Sequence, residues 1–539
     1  MFFSVLCLAL YNLQIKQGAA YATKASVQQA FGADFIPERG NIFIRDKDGR
    51  SIPLATNREY PLIFASPKEM FSENKDQKAD PAEIAGHVAE LLNLPADDLL
   101  TRFLKKDDSY EPLVERASST LVSKVENEKI PGLYVTNQRA RYYPFEGLAA
   151  HVVGFVRREK EREGEVGQYG VEKFFNERMA GIPGFINKDN VLELSQPGED
   201  VKLTLDQNIQ QKSEEIISNL VASKKAIGAT VIVMEPETGR VLSMANLPTF
   251  NANEYGKSPL SSFTNQAVQG LYEPGSVFKP ITMAIGLDLG VITPETTFVD
   301  PGYFTSDGKT IKNWDLKAHG KITMTNVIEQ SINTGTVFAQ RQIGQKNFYD
   351  YLLKFGIKDL TGITLPGEIA GRLTPLEKYP RDINFATAAY GQGVAVTPIR
   401  LITALGVLAN GGMLVEPYIV EGAKHAAPRR VISESAAKQA TGMMVSAVQK
   451  AKVADLPQHI VAGKTGTAFK PDFKKGGYSD KVINTYIGFA PVSKPRFIAL
   501  IKLDEPEDAP LAGTTVVPAF RELAEFILNY YSVPPDKGR

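Results

Sequence analysis

The spacing of apolar positions changes along the chain, and each change marks an element. "MFFSVLCLALYNLQI" is apolar up to its first charge, Lys16. A spanning helix needs ~20 apolar residues, so this run reads as a partial membrane anchor, residues 1–18, whose first residues precede Met1. "AYA" at Ala20 to Ala22 keeps a signal peptide open, and a buried amphipathic helix is a third reading. Alternation returns in "GNIFIRDKDGRSIPLATN", which predicts two strands around a turn at Asp48-Gly49. "DPAEIAGHVAELLNL" has helical spacing, with Asp80 as N-cap and Pro81 in the first turn. "REKEREGEVGQ" reads as a charged, mobile loop.

"LSQPGEDVKLTLD" reads as a junction: Pro-Gly and acidic residues precede a fresh strand. Beyond it, "QNIQQKSEEIISNLVASKKA" predicts a long helix and "GATVIVMEPETGRVLSMAN" a hairpin of two apolar strands. The middle, from 276 to about 450, reads as largely helical. "PIRLITALGVLANGG" is its clearest helix, ending on a glycine pair that suits a C-cap. Strands return in "QHIVAGKTGTAFK" and in the hairpin "INTYIGFAPVSKPRFIALIKLDEP". "PAFRELAEFILNYY" closes the pattern as a helix. Strands, helices, strands and a last helix joined by hairpins predict an α+β fold, an antiparallel sheet with helices packed on it. The expected division is a partial anchor at 1–18, an N-terminal domain at 19–198 and a second domain at 199–539.

Composition narrows the function classes. At 539 residues the chain is long enough for two to four domains. Lys plus Arg and Asp plus Glu both count 61, so no basic field points to nucleic acid. A single cysteine, Cys7, excludes a disulfide framework, and five scattered histidines argue against a zinc site. No phosphate-binding glycine loop is present, and no cofactor is expected.

The chemistry begins at "LYEPGSVFKPIT". Ser276 and Lys279 stand at i and i+3, on one face of a helix. A lysine serves as general base for a hydroxyl only if burial or a nearby cation lowers its pKa. Glu273-Pro274-Gly275 predicts a turn that places Ser276 at a helix start, where backbone N–H groups can hold a developing oxyanion. Pro280 cannot donate to the Ser276 carbonyl, so the first turn should be irregular. The spacing recurs at Ser72/Lys75, Ser306/Lys309 and Ser435/Lys438, but those lie in a polar loop, a turn and a capped surface helix. Only Ser276 is embedded in apolar sequence.

Two further motifs follow. "QSINTG" offers Ser331, a second hydroxyl able to relay a proton, and Asn333, an amide able to grip a peptide group. "VAGKTGTA" holds the chain's one K-T-G, Lys464-Thr465-Gly466, with Thr467 after it, on a predicted strand. Gly466 there leaves room for a substrate backbone to lie alongside as an added strand. Lys464 supplies positive charge for a carboxylate and depresses the pKa of Lys279. Taken alone, that lysine could equally be an edge-strand cation beside a bulge. S-x-x-K, S-D-N and K-T-G form the set of penicillin-binding proteins and class A β-lactamases, and here the middle element is S-I-N.

With these motifs in place, the chain resembles the class B penicillin-binding proteins, the monofunctional peptidoglycan transpeptidases. "PERGNIFIRDKDGRSIPLATN" is similar to their R-G signature, with Lys47 where arginine is usual. "RYYPFEGLAAHVVGFV" and "GQYGVEKFFNERMAGIPG" are similar to blocks of their pedestal, and "AAYGQGVAVTPIRL" and "TTVVPAFRELAEFILNYYSVPP" to the end of their catalytic domain. The resemblance implies a penicillin-binding/β-lactamase-like domain, a five-stranded antiparallel sheet with helices on both faces, on an elongated mixed α/β pedestal. It implies Ser276 as nucleophile toward stem peptides ending D-Ala-D-Ala, Lys279 as its base, and Ser331 as relay between Lys279 and Lys464. Asn333 would bind the substrate amide, Lys464 and Thr465 the terminal carboxylate, and the backbone N–H groups of Ser276 and Thr467 the oxyanion. β-Lactams would acylate Ser276. The same resemblance implies a membrane glycosyltransferase and division or elongation proteins as partners, and an extracytoplasmic catalytic domain on a single membrane span. A D,D-carboxypeptidase, a β-lactamase, and a non-catalytic β-lactam sensor or division scaffold are the competing readings. The lone Trp314, in "IKNWD", reads either as a wall of the cleft or as a packing residue.

Overall fold

The computed structural model describes residues 37–71, 80–105, 107–158, 165–186, 192–471, 477–507 and 511–538. The expected anchor, the Ser72/Lys75 pair and part of the charged loop at 159–164 lie outside these residues. Among the described residues no helix is long and apolar enough to cross a membrane. The chain forms two compact units: residues 55–143, and the remainder on both sides of it.

The predicted strand–turn–strand at the start is present as β1 (Ile42–Arg45) and β2 (Ser51–Ala65). In the smaller unit, β2 is followed by α1 (Pro81–Leu92), α2 (Ala96–Phe103), β3 (Glu111–Val114), α3 (Ser119–Glu128) and β4 (Leu133–Tyr142). Asp80 caps α1 as expected, its Oδ1 accepting from the Ala82 N–H. β2 and β4 pair antiparallel from Thr56↔Tyr142 to Ala65↔Leu133. Their inner face packs Ile63 and Leu133 against Val88, Leu92, Leu99, Phe103 and Val125 of the helices.

In the larger unit the R-G signature has a structural reason. Arg39 donates from Nε to Glu172 Oε2 at 2.7 Å and from Nη2 to the Glu172 carbonyl at 2.9 Å, with both side chains buried. Gly40 lies against the Glu199 carbonyl so closely that a β-carbon there would fall 1.9 Å from the oxygen. A buried guanidinium of this kind is tolerated only where its hydrogen bonds are made. β5 (Val201–Asp206) pairs parallel with β1.

The C-terminal half keeps the expected order of strands, helices, strands and a last helix, with short strands inside the stretch expected to be helical. After α4 (Gln207–Lys224) come β6 (Gly228–Met234) and β7 (Val241–Leu247), the predicted hairpin. Then follow α5 (Lys279–Asp288), the small hairpin β8 (Tyr303–Ser306) and β9 (Lys309–Lys312), α6 (Met324–Gln330) and α7 (Asn333–Ile343). α8 (Pro398–Ala409), α9 (Glu434–Ala451), β10 (Ala462–Pro471), β11 (Tyr478–Ala490), β12 (Phe497–Asp504) and α10 (Val516–Tyr530) complete it. The sheet order is β7-β6-β12-β11-β10, with each neighbouring pair antiparallel.

All of β6 is buried, because helices cover both faces of the sheet. On one face Val231, Val233, Phe497 and Ile501 meet Ile216 and Leu220 of α4 and Phe520, Leu523 and Ile527 of α10. On the other face α8 packs on the sheet, α9 lies against β10, and α5 packs on both helices. Gly406 of α8 passes Met234 of β6 there. β10 is an edge strand whose free side faces the Ser276 turn, so the fold brings an unpaired strand edge to the nucleophile candidate.

Candidate active site

Ser276 sits on a single 3₁₀ turn, Gly275–Phe278, that runs into α5. Gly275 has φ +60°, the left-handed conformation the turn requires. The expected irregularity at Pro280 takes this form. The Ser276 carbonyl accepts from the Lys279 N–H instead of residue 280, and Pro280 falls in the first turn of α5, where its missing N–H has no helical partner. With three residues per turn, Ser276 and Lys279 are eclipsed on one face. Every residue of α5 from Lys279 to Leu287 is buried, so Lys279 is a cation within an apolar helix.

Its amine is held by the S-I-N corner. Lys279 Nζ donates to the Ser331 carbonyl at 2.5 Å, to Ser331 Oγ at 3.3 Å and to Asn333 Oδ1 at 2.8 Å. Ser331 ends α6 with φ +59°, unusual for a residue with a β-carbon, and this turn presents its carbonyl and hydroxyl to the lysine. From β10, Lys464 Nζ donates to the same Ser331 Oγ at 3.1 Å and to the Thr465 carbonyl at 3.1 Å. The Ser331 hydroxyl therefore lies between two buried ammonium groups.

Burial pushes the Lys464 pKa down to about 7. Burial, and then the neighbouring Lys464 charge, hold Lys279 well below the ordinary lysine value. The expected depression is present, with desolvation the larger cause. Ser276 Oγ makes no hydrogen bond among the described residues, and the three acceptors of Lys279 all belong to the S-I-N corner.

Gly466 is explained by the serine turn itself. A β-carbon at this position would stand 2.9 Å from the Pro274 carbonyl oxygen and 3.2 Å from the Val277 nitrogen. Thr465 and Thr467 flank it on the edge strand, and Thr467 Oγ1 accepts from the Ala512 N–H at 3.2 Å. All eight motif residues thus converge on one cleft in the larger unit. The two decoys among the described residues stay apart. Ser306 pairs with Lys309 across the β8–β9 turn and donates to Asp382, Ser435 lies in the exposed first turn of α9, and Ser72 is outside the described residues.

Trp314 is 61% exposed beside the cleft, its Nε1 donating to the Gln330 carbonyl at 2.9 Å. It is not a packing residue. Sequence reasoning missed Glu273 as more than a turn residue. Its Oε2 accepts from Tyr478 OH at 2.8 Å, which ties the serine turn to the far end of the β10–β11 hairpin. Burial raises the Glu273 pKa, while the Tyr478 hydroxyl and the Gly393 N–H pull it back. Its acidic character three residues before the serine was the available signal. No cluster of metal-ligating side chains occurs among the described residues.

Two family descriptions match this chain: "Penicillin binding protein transpeptidase domain" over residues 229–525 and "Penicillin-binding Protein dimerisation domain" over residues 35–214. Stage V sporulation protein D of Bacillus subtilis is 29% identical over 569 residues, spanning 100% of this chain and 85% of that protein. Peptidoglycan D,D-transpeptidase FtsI of Escherichia coli is 28% identical, spanning 92% and 84%. Among solved structures, penicillin binding protein 3 of Mycobacterium tuberculosis, complexed with aztreonam, superposes with TM-score 0.71 at 25% identity, covering 93% of this chain and 97% of that one. Penicillin binding protein 2X of Streptococcus thermophilus shares the fold with TM-score 0.73. With a transpeptidase match over more than half its length, the chain belongs to the penicillin-binding protein transpeptidases.

Proposed function

We propose that the protein is a peptidoglycan D,D-transpeptidase working through an acyl-enzyme on Ser276. The observation that carries this reading is the Ser331 hydroxyl, set between the amines of Lys279 and Lys464 beside the serine turn. Two ammonium groups so close cannot both keep their protons cheaply, and the more deeply desolvated Lys279 gives up its own. Neutral Lys279 takes the Ser276 proton as Oγ attacks the carbonyl of the penultimate D-Ala. Backbone N–H groups of Ser276 and Thr467 hold the oxyanion. The amide C–N bond breaks, the departing D-Ala nitrogen receives the proton through Ser331, and an ester to Ser276 remains. An amine of a second stem peptide attacks the ester, forms the cross-linking amide and returns the proton and Ser276.

Asn333 receives the substrate amide, and Lys464 and Thr465 receive its terminal carboxylate. The edge strand β10 gives the peptide backbone a strand to pair with. A β-lactam presents the same carboxylate and a strained amide, and so acylates Ser276. Residues 1–18 are part of the membrane anchor of a single-pass protein, residues 19–198 form the pedestal, and residues 199–539 work outside the cytoplasmic membrane. Support for the location comes from the apolar start and the cell-wall substrate. The pedestal is the surface on which a membrane glycosyltransferase and division or elongation proteins would dock.

A stem peptide ending D-Ala-D-Ala, supplied with a second peptide bearing a free amine, tests the reaction type. Equal release of D-Ala and formation of cross-linked peptide is expected. D-Ala release without cross-linking would make the protein a D,D-carboxypeptidase, and no release at all would favour a sensor or scaffold.

A further inference from the structure

The motif triad leaves the segment from Asp300 to His319 without a role. Its centre, Asn313, is 1% exposed and never reaches the cleft. We infer that Asn313 is the positioning residue that fixes the S-I-N corner, and through Asn333 the catalytic lysine, for the acyl transfer proposed above.

The argument starts from a missing cap. α7 begins at Asn333, and its N-cap residue is Ile332, whose side chain accepts nothing. The first N–H groups of a helix need partners from elsewhere. Asn313 Oδ1 supplies one, accepting from Asn333 N at 3.1 Å and Thr334 N at 3.2 Å. An amide on a separate loop thus does the work of an Asp or Ser at the N-cap.

The amide has one workable orientation. Asn313 Nδ2 donates to Asp300 Oδ2 at 2.8 Å and to the Lys317 carbonyl at 3.0 Å. Flipped, it would set N–H groups against N–H groups. Asp300, 1% exposed, is itself fixed by donors from Thr334 Oγ1 at 2.6 Å, Gly302 N at 2.8 Å and His319 N at 3.0 Å. The neighbouring Lys312 carbonyl accepts from Asn333 Nδ2 at 2.9 Å. That contact turns Asn333 Oδ1 toward Lys279 Nζ. One dipeptide, Lys312-Asn313, therefore sets both the backbone and the side chain of Asn333.

This placement bears on the proton inventory of the site. The groups facing the Lys279 amine are the Lys464 ammonium from β10, the Ser331 carbonyl and hydroxyl, and Asn333 Oδ1. An acceptor at Asn333 favours the charged amine, and Lys464 opposes it. Displacing Asn333 removes the acceptor and makes Lys279 easier to deprotonate, but leaves it misaimed.

The test measures the rate of acylation by a fluorescent penicillin across pH for the full chain, Asn313→Ala, and the exchange Asp300→Asn with Asn313→Asp. Asn313→Ala should slow acylation about 10- to 100-fold, as misplacement of a reacting group does. Its acid limb should move to lower pH, which a simple loss of folded protein would not cause. The exchange keeps an acceptor at 313 for the Asn333 and Thr334 N–H groups, so it should be faster than Asn313→Ala, yet short of wild type because its carboxylate faces the Lys317 carbonyl that Asn313 Nδ2 serves. A wild-type rate and profile in Asn313→Ala, or an exchange variant that folds yet stays as slow as Asn313→Ala, would overturn the assignment. A wild-type protein that takes no penicillin would instead overturn the transpeptidase reading beneath it.

Discussion

Lys279 is a buried cation whose three acceptors are a carbonyl, a hydroxyl and an amide, with no carboxylate among them. That choice keeps its proton loosely held. Replacing Lys279 by Ala should abolish acylation of Ser276 by a fluorescent penicillin, whereas Ser435→Ala, an exposed α9 position, should leave it intact. Lys464→Gln removes the neighbouring charge that lowers the Lys279 pKa. The Lys279 pKa then rises, so the acid limb of acylation should move to higher pH. Lys464 also weighs on stability. Its folded-state pKa, about 7, lies below the ordinary 10.5, so between these values the unfolded chain binds more protons and stability rises with pH. Lys464→Met should therefore raise the unfolding temperature at pH 7 while abolishing acylation, and its advantage should shrink toward pH 10.5 in calorimetry. An unchanged gap across that range would sink this account of Lys464. The motif residues were legible because their chemistry repeats at fixed spacings. Asn313 was not, since its partners Asp300 and Thr334 are distant in sequence and a lone asparagine in a polar turn carries no pattern.

The elements around the cleft divide in the same way. The hairpins β6–β7 and β11–β12, the helices α1, α8 and α10 and the K-T-G strand follow from apolar period, caps and glycines, and all lie where their patterns predict. The short hairpin β8–β9 and its neighbours were hidden in a stretch read as helical, because four-residue strands of mixed polarity show no period. Pro280 foretold an irregular turn but not its kind. The 3₁₀ geometry emerged only once Ser276 needed an acceptor's partner one residue earlier. The Glu273–Tyr478 bond is a contact between elements, invisible to local pattern. Tyr478→Phe should cost the fold about 1 kcal/mol or less, since the tyrosine is half exposed. Amide hydrogen exchange should nevertheless quicken along the β10–β11 hairpin, whose Tyr478 end this bond ties to the serine turn. Exchange unchanged there would mean that the hairpin is held by the sheet alone.

At the scale of the whole chain, the α+β character and the antiparallel sheet followed from the order of elements, and the family resemblance supplied the five strands and the rest of the architecture. The division expected near 198 follows a change of sequence character, whereas the compact units part at 54 and 143. Such a division depends on β2, one strand that serves the smaller unit along most of its length, and no composition shift marks it. The central claim, that this cleft forms an acyl-enzyme on Ser276, is tested most directly by treating the full chain with penicillin and locating the adduct by peptide mass spectrometry. The account predicts one stable penicilloyl group, on the peptide containing Ser276 and absent from Ser276→Ala. An adduct on another residue, or one that persists in Ser276→Ala, would contradict it.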